Sequence, residues 1–254
     1  MGLTRFALRF AAPVPKVEAF DRYLFVGPHP DDIEIGAGAT AAKLAAAGKT
    51  VCFLICTDGR YGEGHVPQTG DDLAALRREE AIRAAAALGV HDVRFLNLCD
   101  GGFYDQEALL EGIAKVIGDF APDILLASDP CVGSEGHPDH LNVGNAVRRL
   151  ATCAVHRGIM ARYGAKAAPV KAVAFYMTAM PNRFVRTAGF IDKQFKAVFE
   201  CFPSQFPPED PAGKSIALYL KLRSADFGLR SLTGCAEGFR VLGALHIHCM
   251  PEMD

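Results

Sequence analysis

The sequence contains no apolar run approaching the roughly 20 residues that a bilayer span requires, so no membrane span is expected. It also lacks a surplus of positive charge: 27 Lys+Arg stand against 29 Asp+Glu, a formal net charge of −2. Such a chain has no basic excess with which to neutralise a phosphate backbone, and nucleic acid is not an expected partner. None of the eight cysteines forms a Cys-x-x-Cys pair. Several lie inside apolar strand-like runs such as Val51–Cys56, which suits buried free thiols in a reducing cytoplasm better than disulfides. No Gly-x-Ser-x-Gly elbow offers a serine nucleophile. The amino-terminal segment carries Arg5 and Arg9 but no continuous apolar core, and Pro13 and Pro15 break it. Phe6 stands where a myristoylation signal needs Ser or Thr, so no targeting signal is read and a cytoplasmic location is expected.

What is present is the composition of a soluble globular protein, with 50% hydrophobic and 22% charged residues among 254. Short apolar runs alternate with helical patterns, the signature of βα units and a parallel sheet. Strands are expected at Tyr23–Val26, Val51–Cys56, Val93–Leu96, Ile124–Ala127 and Val173–Tyr176, with a late one near Gly238–Leu245. Helices are expected over Ala37–Ala47, Asp72–Leu88 (capped by Asp71 or Asp72), Gln106–Asp119, Asn142–His156, Phe190–Phe202 and Ile216–Arg223. The expected fold class is α/β: a Rossmann-like doubly wound, mostly parallel sheet with helices on both faces and an irregular C-terminal third. One domain is expected over residues 1–254.

Ligands of such sheets bind in the crevice at the carboxyl ends of the strands. Four loops at that edge hold His29-Pro30-Asp31-Asp32, Thr57-Asp58-Gly59-Arg60, Asp100 and His137-Pro138-Asp139-His140. Imidazole and carboxylate are the donors of a catalytic zinc, which takes three protein ligands and leaves a position for water. Asp31 and Asp32 are neighbours whose side chains diverge, so one can bind metal while the other serves as general base. Either tetrapeptide alone is served as well by a helix cap or a turn; together, at one sheet edge, they point to a metal site. Gly36-Ala37-Gly38-Ala39-Thr40-Ala41 fits a dinucleotide fingerprint, with Asp58 downstream, but His29–Ile35 separates it from the strand it should follow. Close packing of helix and strand explains the same glycines. The pattern around Arg77, Arg78, Glu79 and Glu80 reads as a solvated helix face. His246 and His248 read as alternating along the late strand.

The first loop with Gly36 and Gly38 behind it, together with His137-Pro138-Asp139-His140, resembles the LmbE-like (PIG-L) family of zinc-dependent N-acetylglucosaminyl de-N-acetylases. Thr57-Asp58-Gly59, Arg77 with Glu80-Ala81, Leu88-Gly89-Val90 and Asp100-Gly101 follow in the family's order. Ser204-Gln205 and Ala236-Glu237-Gly238-Phe239 resemble its later landmarks, so the resemblance covers residues 22–242. It implies His29, Asp32 and His140 as zinc ligands and Asp31 as the general base. It implies that His137 stabilises the oxyanion or protonates the leaving amine, with Asp139 orienting its ring, and that Arg77 and Asp100 hold sugar hydroxyls. The implied activity removes the acetyl group from an N-acetylated amino sugar or its conjugate. An amidase on a thiol-sugar conjugate or acylated natural product is the alternative within that chemistry. A dinucleotide-binding oxidoreductase or binding module is the alternative outside it. Zinc is the implied cofactor, although a His-His-Asp donor set also accepts other divalent ions such as Fe2+. The implied partner is a small amino-sugar substrate, and homo-oligomerisation is left open. Three departures bear on the substrate: Ile33 replaces a frequent Glu, Glu200-Cys201-Phe202-Pro203 stands where the family often has a histidine, and Gly59–Gly70 is long, with Arg60, Tyr61, Glu63 and His65 available to shape a lid.

Overall fold

A computed structural model of the chain describes residues 3–207 and 209–248. Its strands are β1 (Arg22–Gly27), β2 (Thr50–Thr57), β3 (Asp92–Leu98), β4 (Ile124–Ser128), β5 (Ala172–Tyr176), β6 (Arg183–Arg186) and β7 (Ala236–Gly243). Its helices are α1 (Leu3–Ala11), α2 (Asp32–Ala46), α3 (Gly70–Leu88), α4 (Gln106–Phe120), α5 (Pro138–Cys153), α6 (Arg157–Arg162), α7 (Ile191–Phe199), α8 (Pro211–Ser231) and α9 (Ala244–His248). The strands form one sheet in the order β3-β2-β1-β4-β5-β7-β6. The first five run parallel, and β7 lies antiparallel to both β5 and β6. This is the expected doubly wound α/β architecture.

Two-residue periodicity sorts the strand side chains into two cores. Tyr23, Phe25, Phe53, Ile55, Leu126 and Tyr176 face α2, α3 and α7, whereas Leu24, Val26, Leu54, Leu125, Val173 and Phe175 face α4 and α5. Both faces are covered, so the central strands read as continuous apolar runs. The order reverses between β1 and β4, which opens a crevice at their carboxyl ends.

Several boundaries differ from the sequence expectation for physical reasons. Helix α2 starts at Asp32 rather than Ala37, because the chain turns directly out of β1 through Asp31. Ala37 is instead a kink inside the helix, with φ −152° and ψ 18°. The kink frees the amides of Ala39 and Thr40, and the buried carboxylate of Glu237 accepts from both at 3.1 and 2.7 Å. Gln194 Nε2 donates to that carboxylate and to the Glu34 carbonyl, tying α7 and β7 to the kink. Helix α5 begins at Pro138 rather than Asn142, a proline at the first helical position being pre-organised for it. Helix α3 follows Thr69, and neither Asp71 nor Asp72 caps it; Asp71 pairs with Arg60 instead. Helix α8 is far longer than Ile216–Arg223, and β6 had no clear sequence signature. The late strand is Ala236–Gly243, and His246 belongs to α9, where its ring accepts from Gly243 N and contacts Ala12 O. The side chain of His248 and all of Cys249 lie outside the described residues. The described cysteines are free, with Cys52 and Cys56 buried. Among the described residues no helix is long and apolar enough to cross a membrane.

Gly36 settles how its fingerprint should be read. A Cβ there would stand 2.3 Å from Cδ2 of Tyr176, whose hydroxyl donates to the Val26 carbonyl at 2.9 Å. The glycine lets α2 approach an anchored ring at the end of β5, and no phosphate-cradling turn is formed. Gly36→Ala is expected to lower stability by about 1–3 kcal/mol through overpacking, more than offsetting the roughly 1 kcal/mol a helical Gly→Ala ordinarily gains. Urea unfolding measures it. Gly38→Ala, meeting only the Gln194 side chain at 3.1 Å, serves as the milder comparison; equal stability of the parent and Gly36→Ala would refute the packing role.

Candidate metal centre

The strand-to-helix turn after β1 is the first half of the site. Asp31 sits at φ 114°, a left-handed conformation rare outside glycine, and such strain concentrates at functional positions. Its side chain makes no helix-capping bond. The Asp32 carboxylate folds back to accept the His29 amide at 2.8 Å. The helix-cap explanation of the paired acids therefore fails here. The second half is the start of α5, where His137 is the N-cap residue and His140 lies in the first turn.

These halves meet in the β1–β4 crevice. Asp32 Oδ2 lies 3.0 Å from His29 Nδ1, and Asp32 Oδ1 lies 3.4 Å from His140 Nε2. Ligand atoms on a tetrahedral zinc stand roughly 3.3 Å apart, so the spacing suits a small divalent ion. Ring nitrogens of His29, His137 and His140 come within 4.8 Å of one another, and so do donors of His29, Asp100, His137 and Asp139. Three histidines and three carboxylates thus offer metal ligands.

The electrostatics favour a cation. Burial alone would push the His29 imidazolium down, yet Asp100, Asp139 and Asp32 outweigh it and raise the group to about 12. His140 is raised to about 9 in the same way, with Asp32 and Glu135 overcoming burial. Asp32 is buried too, but its bonds to His140 and His29 hold it well below the usual carboxylate range. The carboxylates around these rings thus favour positive charge in the crevice. His137 differs: burial and the neighbouring His29 and His140 lower it, and its Nδ1 accepts from the Asp139 amide at 3.3 Å. That contact leaves Nε2 to carry the proton on a side chain 42% exposed.

The surrounding residues are placed as follows. Arg77 is 4% exposed, which overturns the solvated-face reading of its helix pattern. It donates to the Gly59 carbonyl, to the Pro30 carbonyl at 2.6 Å and to Asp31 Oδ2 at 3.0 Å. Burial raises Asp31 to about 7, against the pull of Arg77. Asp100 Oδ1 lies 3.1 Å from His29 Nε2, and its other oxygen accepts the Tyr61 amide. The Asp139 carboxylate accepts from Gly101 N and Gly102 N and lies 3.0 Å from His29 Nε2, against 3.9 Å from His137 Nδ1. Its direct partner is His29, and it reaches His137 through its backbone amide.

Sequence reasoning missed Glu135. One of its oxygens lies 2.8 Å from His140 Nδ1 and the other accepts the His137 amide at 2.8 Å. This fixes which His140 nitrogen faces Asp32, as carboxylates behind metal-binding histidines do. Being the lone acid between Asp129 and His137 is its one sequence signal, and that pattern carries no recognised spacing.

Fold and site together define an α/β protein with a metal-capable His/carboxylate centre at the switch point of its sheet. The PIG-L family, described as GlcNAc-PI de-N-acetylase, matches residues 24–151. The chain is 33% identical over 239 residues to diacetylchitobiose deacetylase of Thermococcus kodakarensis, an alignment covering 91% of this chain and 86% of that protein. It is 33% identical over 208 residues to a 1D-myo-inositol 2-acetamido-2-deoxy-alpha-D-glucopyranoside deacetylase of Kineococcus radiotolerans, over 70% of this chain and 57% of the relative. The solved N,N'-diacetylchitobiose deacetylase of Pyrococcus horikoshii superposes with a TM-score of 0.87 at 26% identity, covering 98% of this chain and 94% of that one. The chain belongs to the PIG-L (LmbE-like) family of deacetylases.

Glu135→Ala is expected to weaken divalent-metal binding by about 10- to 100-fold. Competition against a chromophoric chelator reads the change. Affinity equal to the parent would mean that the Glu135–His140 bond does not support a ligand.

Proposed function

We propose that this chain is a zinc-dependent amidohydrolase that removes the acetyl group from an N-acetylglucosamine-type amino sugar or its conjugate. The observation that carries the reading is the meeting of His29, Asp32 and His140 beside the strained, buried Asp31, in a chain belonging to a deacetylase family. Imidazole and carboxylate donors at this spacing fit zinc, and Fe2+ is the competing ion for the same set. The free buried thiols support a reducing, cytoplasmic setting.

His29, Asp32 and His140 would hold the ion. Bound there, it supplies Lewis-acid polarisation of an amide carbonyl and lowers the pKa of water from about 15.7 toward 7. Asp31 accepts the proton of the attacking water at its carboxylate, and a carboxyl raised toward neutrality by burial is matched to that task. Arg77 fixes that carboxylate through its bond to Oδ2, and its bonds to the Pro30 and Gly59 carbonyls keep it in place. His137 presents Nε2–H at the mouth of the site, where it can donate to the developing oxyanion or to the departing nitrogen. Asp100 and Asp139 hold the His29 ring from behind. Water adds to the carbonyl carbon, the C–N bond breaks, and acetate and a primary amine leave.

Asp31→Asn is expected to keep its metal and lose at least about 100-fold in turnover. Metal content and primary-amine release from N-acetylglucosamine and N,N'-diacetylchitobiose test both halves. Parent-like turnover would remove Asp31 from the chemistry. Metal-loaded parent that releases no amine from any N-acetylated sugar would overturn the function.

A further inference from the structure

We infer that the outer face of α8 is an interface, which pairs with α8 of a second copy of this chain in a parallel, two-fold seam. Pairing of this kind goes beyond the deacetylase reading and does not depend on it.

Helix α8 is apolar on two opposite sides. Its inner side buries Leu220, Ser224 and Phe227. Its outer side carries Leu218, Leu222, Ala225 and Leu229, with Leu232 in the cap position just past the helix. The four leucines of this row are 58%, 62%, 75% and 91% exposed among the described residues. A helix that is apolar all round ordinarily has both sides covered, and a continuous exposed apolar row marks an interaction surface. Leu232 stands at φ 58°, where a helix usually ends on glycine, and a chain that kept this end in water would gain nothing from a leucine there.

The spacing identifies the partner. Successive members of the row are four, three, four and three residues apart, the repeat of a coiled-coil seam. Such a stripe is narrower than the apolar face with which a helix lies on a lipid surface. Lys221 borders it on one side, and Tyr219 and Asp226 border it on the other. An identical helix offers matching knobs and holes, so the row is self-complementary. The flanking charges set the direction. Lys214 and Lys221 share one edge, and Asp226 holds the opposite one. Parallel helices related by a two-fold axis bring the Lys221 edge of each copy to the Asp226 edge of the other, which makes two equivalent ion pairs. Antiparallel helices would set lysine edge against lysine edge. Both groups are free to turn toward a partner, because their contacts within the chain are loose surface ones. Lys221 Nζ stands 5.5 Å from the Phe195 ring centre, and the 58%-exposed Asp226 side chain lies 3.5 Å from Arg230. The seam also adjoins the metal centre: Tyr219 and Arg223 line the cavity that runs to His140, Arg223 donating to the Thr178 carbonyl at 3.1 Å.

Sedimentation velocity of the full chain at micromolar concentration tests the pairing. The parent is expected at the mass of two chains or a multiple of two. Leu222→Glu and Leu229→Glu place a good helix former at exposed positions, and each is expected to weaken association by at least about 30-fold. Ile82→Glu, at a residue 45% exposed on α3, controls for added surface charge and should keep the parent mass. Lys221→Asp is expected to weaken association, and adding Asp226→Lys to restore most of it. A parent that sediments as a single chain would overturn the inference, whether or not it binds vesicles of phosphatidylcholine and phosphatidylglycerol. Leu222 and Leu229 variants that assemble like the parent would overturn it too, as would a double charge swap that associates no better than Lys221→Asp.

Discussion

Three carboxylates converge on one imidazole, and the arrangement of the loops follows from making that tolerable. Asp32, Asp100 and Asp139 each lie about 3 Å from a ring nitrogen of His29, in a crevice that is largely closed to water. Buried acids this close repel one another and are poorly solvated, so they need positive charge among them. His29 and His140 answer that need while protonated, and a divalent ion answers it more fully. The site is therefore an electrostatic demand built into the protein before any ligand arrives.

The sheet meets this demand by bringing distant segments to one edge. His29 and Asp32 leave β1, Asp100 follows β3, Glu135 and His137 lie in the loop from β4 to α5, and Asp139 and His140 sit in the first turn of α5. Beyond the imidazoles, backbone amides complete the charge balance: Gly101 and Gly102 donate to Asp139, Tyr61 to Asp100, and His29 to Asp32. Charge-assisted bonds of this type are stronger than neutral ones and hold their carboxylates in position. Arg77 joins the same network from α3 and binds the strained turn at both the Pro30 carbonyl and the Asp31 carboxylate. The strain at Asp31 is thus restrained from a neighbouring helix rather than by its own turn.

Much of this was legible in the chain. Strands β1, β2, β4 and β5 were readable because both faces are buried, which leaves continuous apolar runs of defined length. The two tetrapeptides were readable because their chemistry is local: a histidine and a carboxylate within one turn can share an ion whatever else the chain does. From its own helix Arg77 reads as solvated, since a run of two arginines and two glutamates looks amphiphilic until the neighbouring loop covers one face. Glu135, Glu237 and Arg223 had no such local signature. Glu237 meets the amides of Ala39 and Thr40 from the far end of the chain, and Arg223 meets Thr178 where α8 crosses the loop after β5.

The sequence by itself determined the alternation of strands and helices, the family to which the chain belongs and the residues able to bind a cation, because periodicity and short motifs are local properties. Tertiary structure alone decided that α2 kinks at Ala37, that Gly36 accommodates the Tyr176 ring, that Arg77 is buried against Asp31 and that α8 closes one side of a cavity beside His140. Each of these depends on which groups meet across large separations in the chain. Desolvation and hydrogen bonding act on that meeting, and no local pattern encodes it.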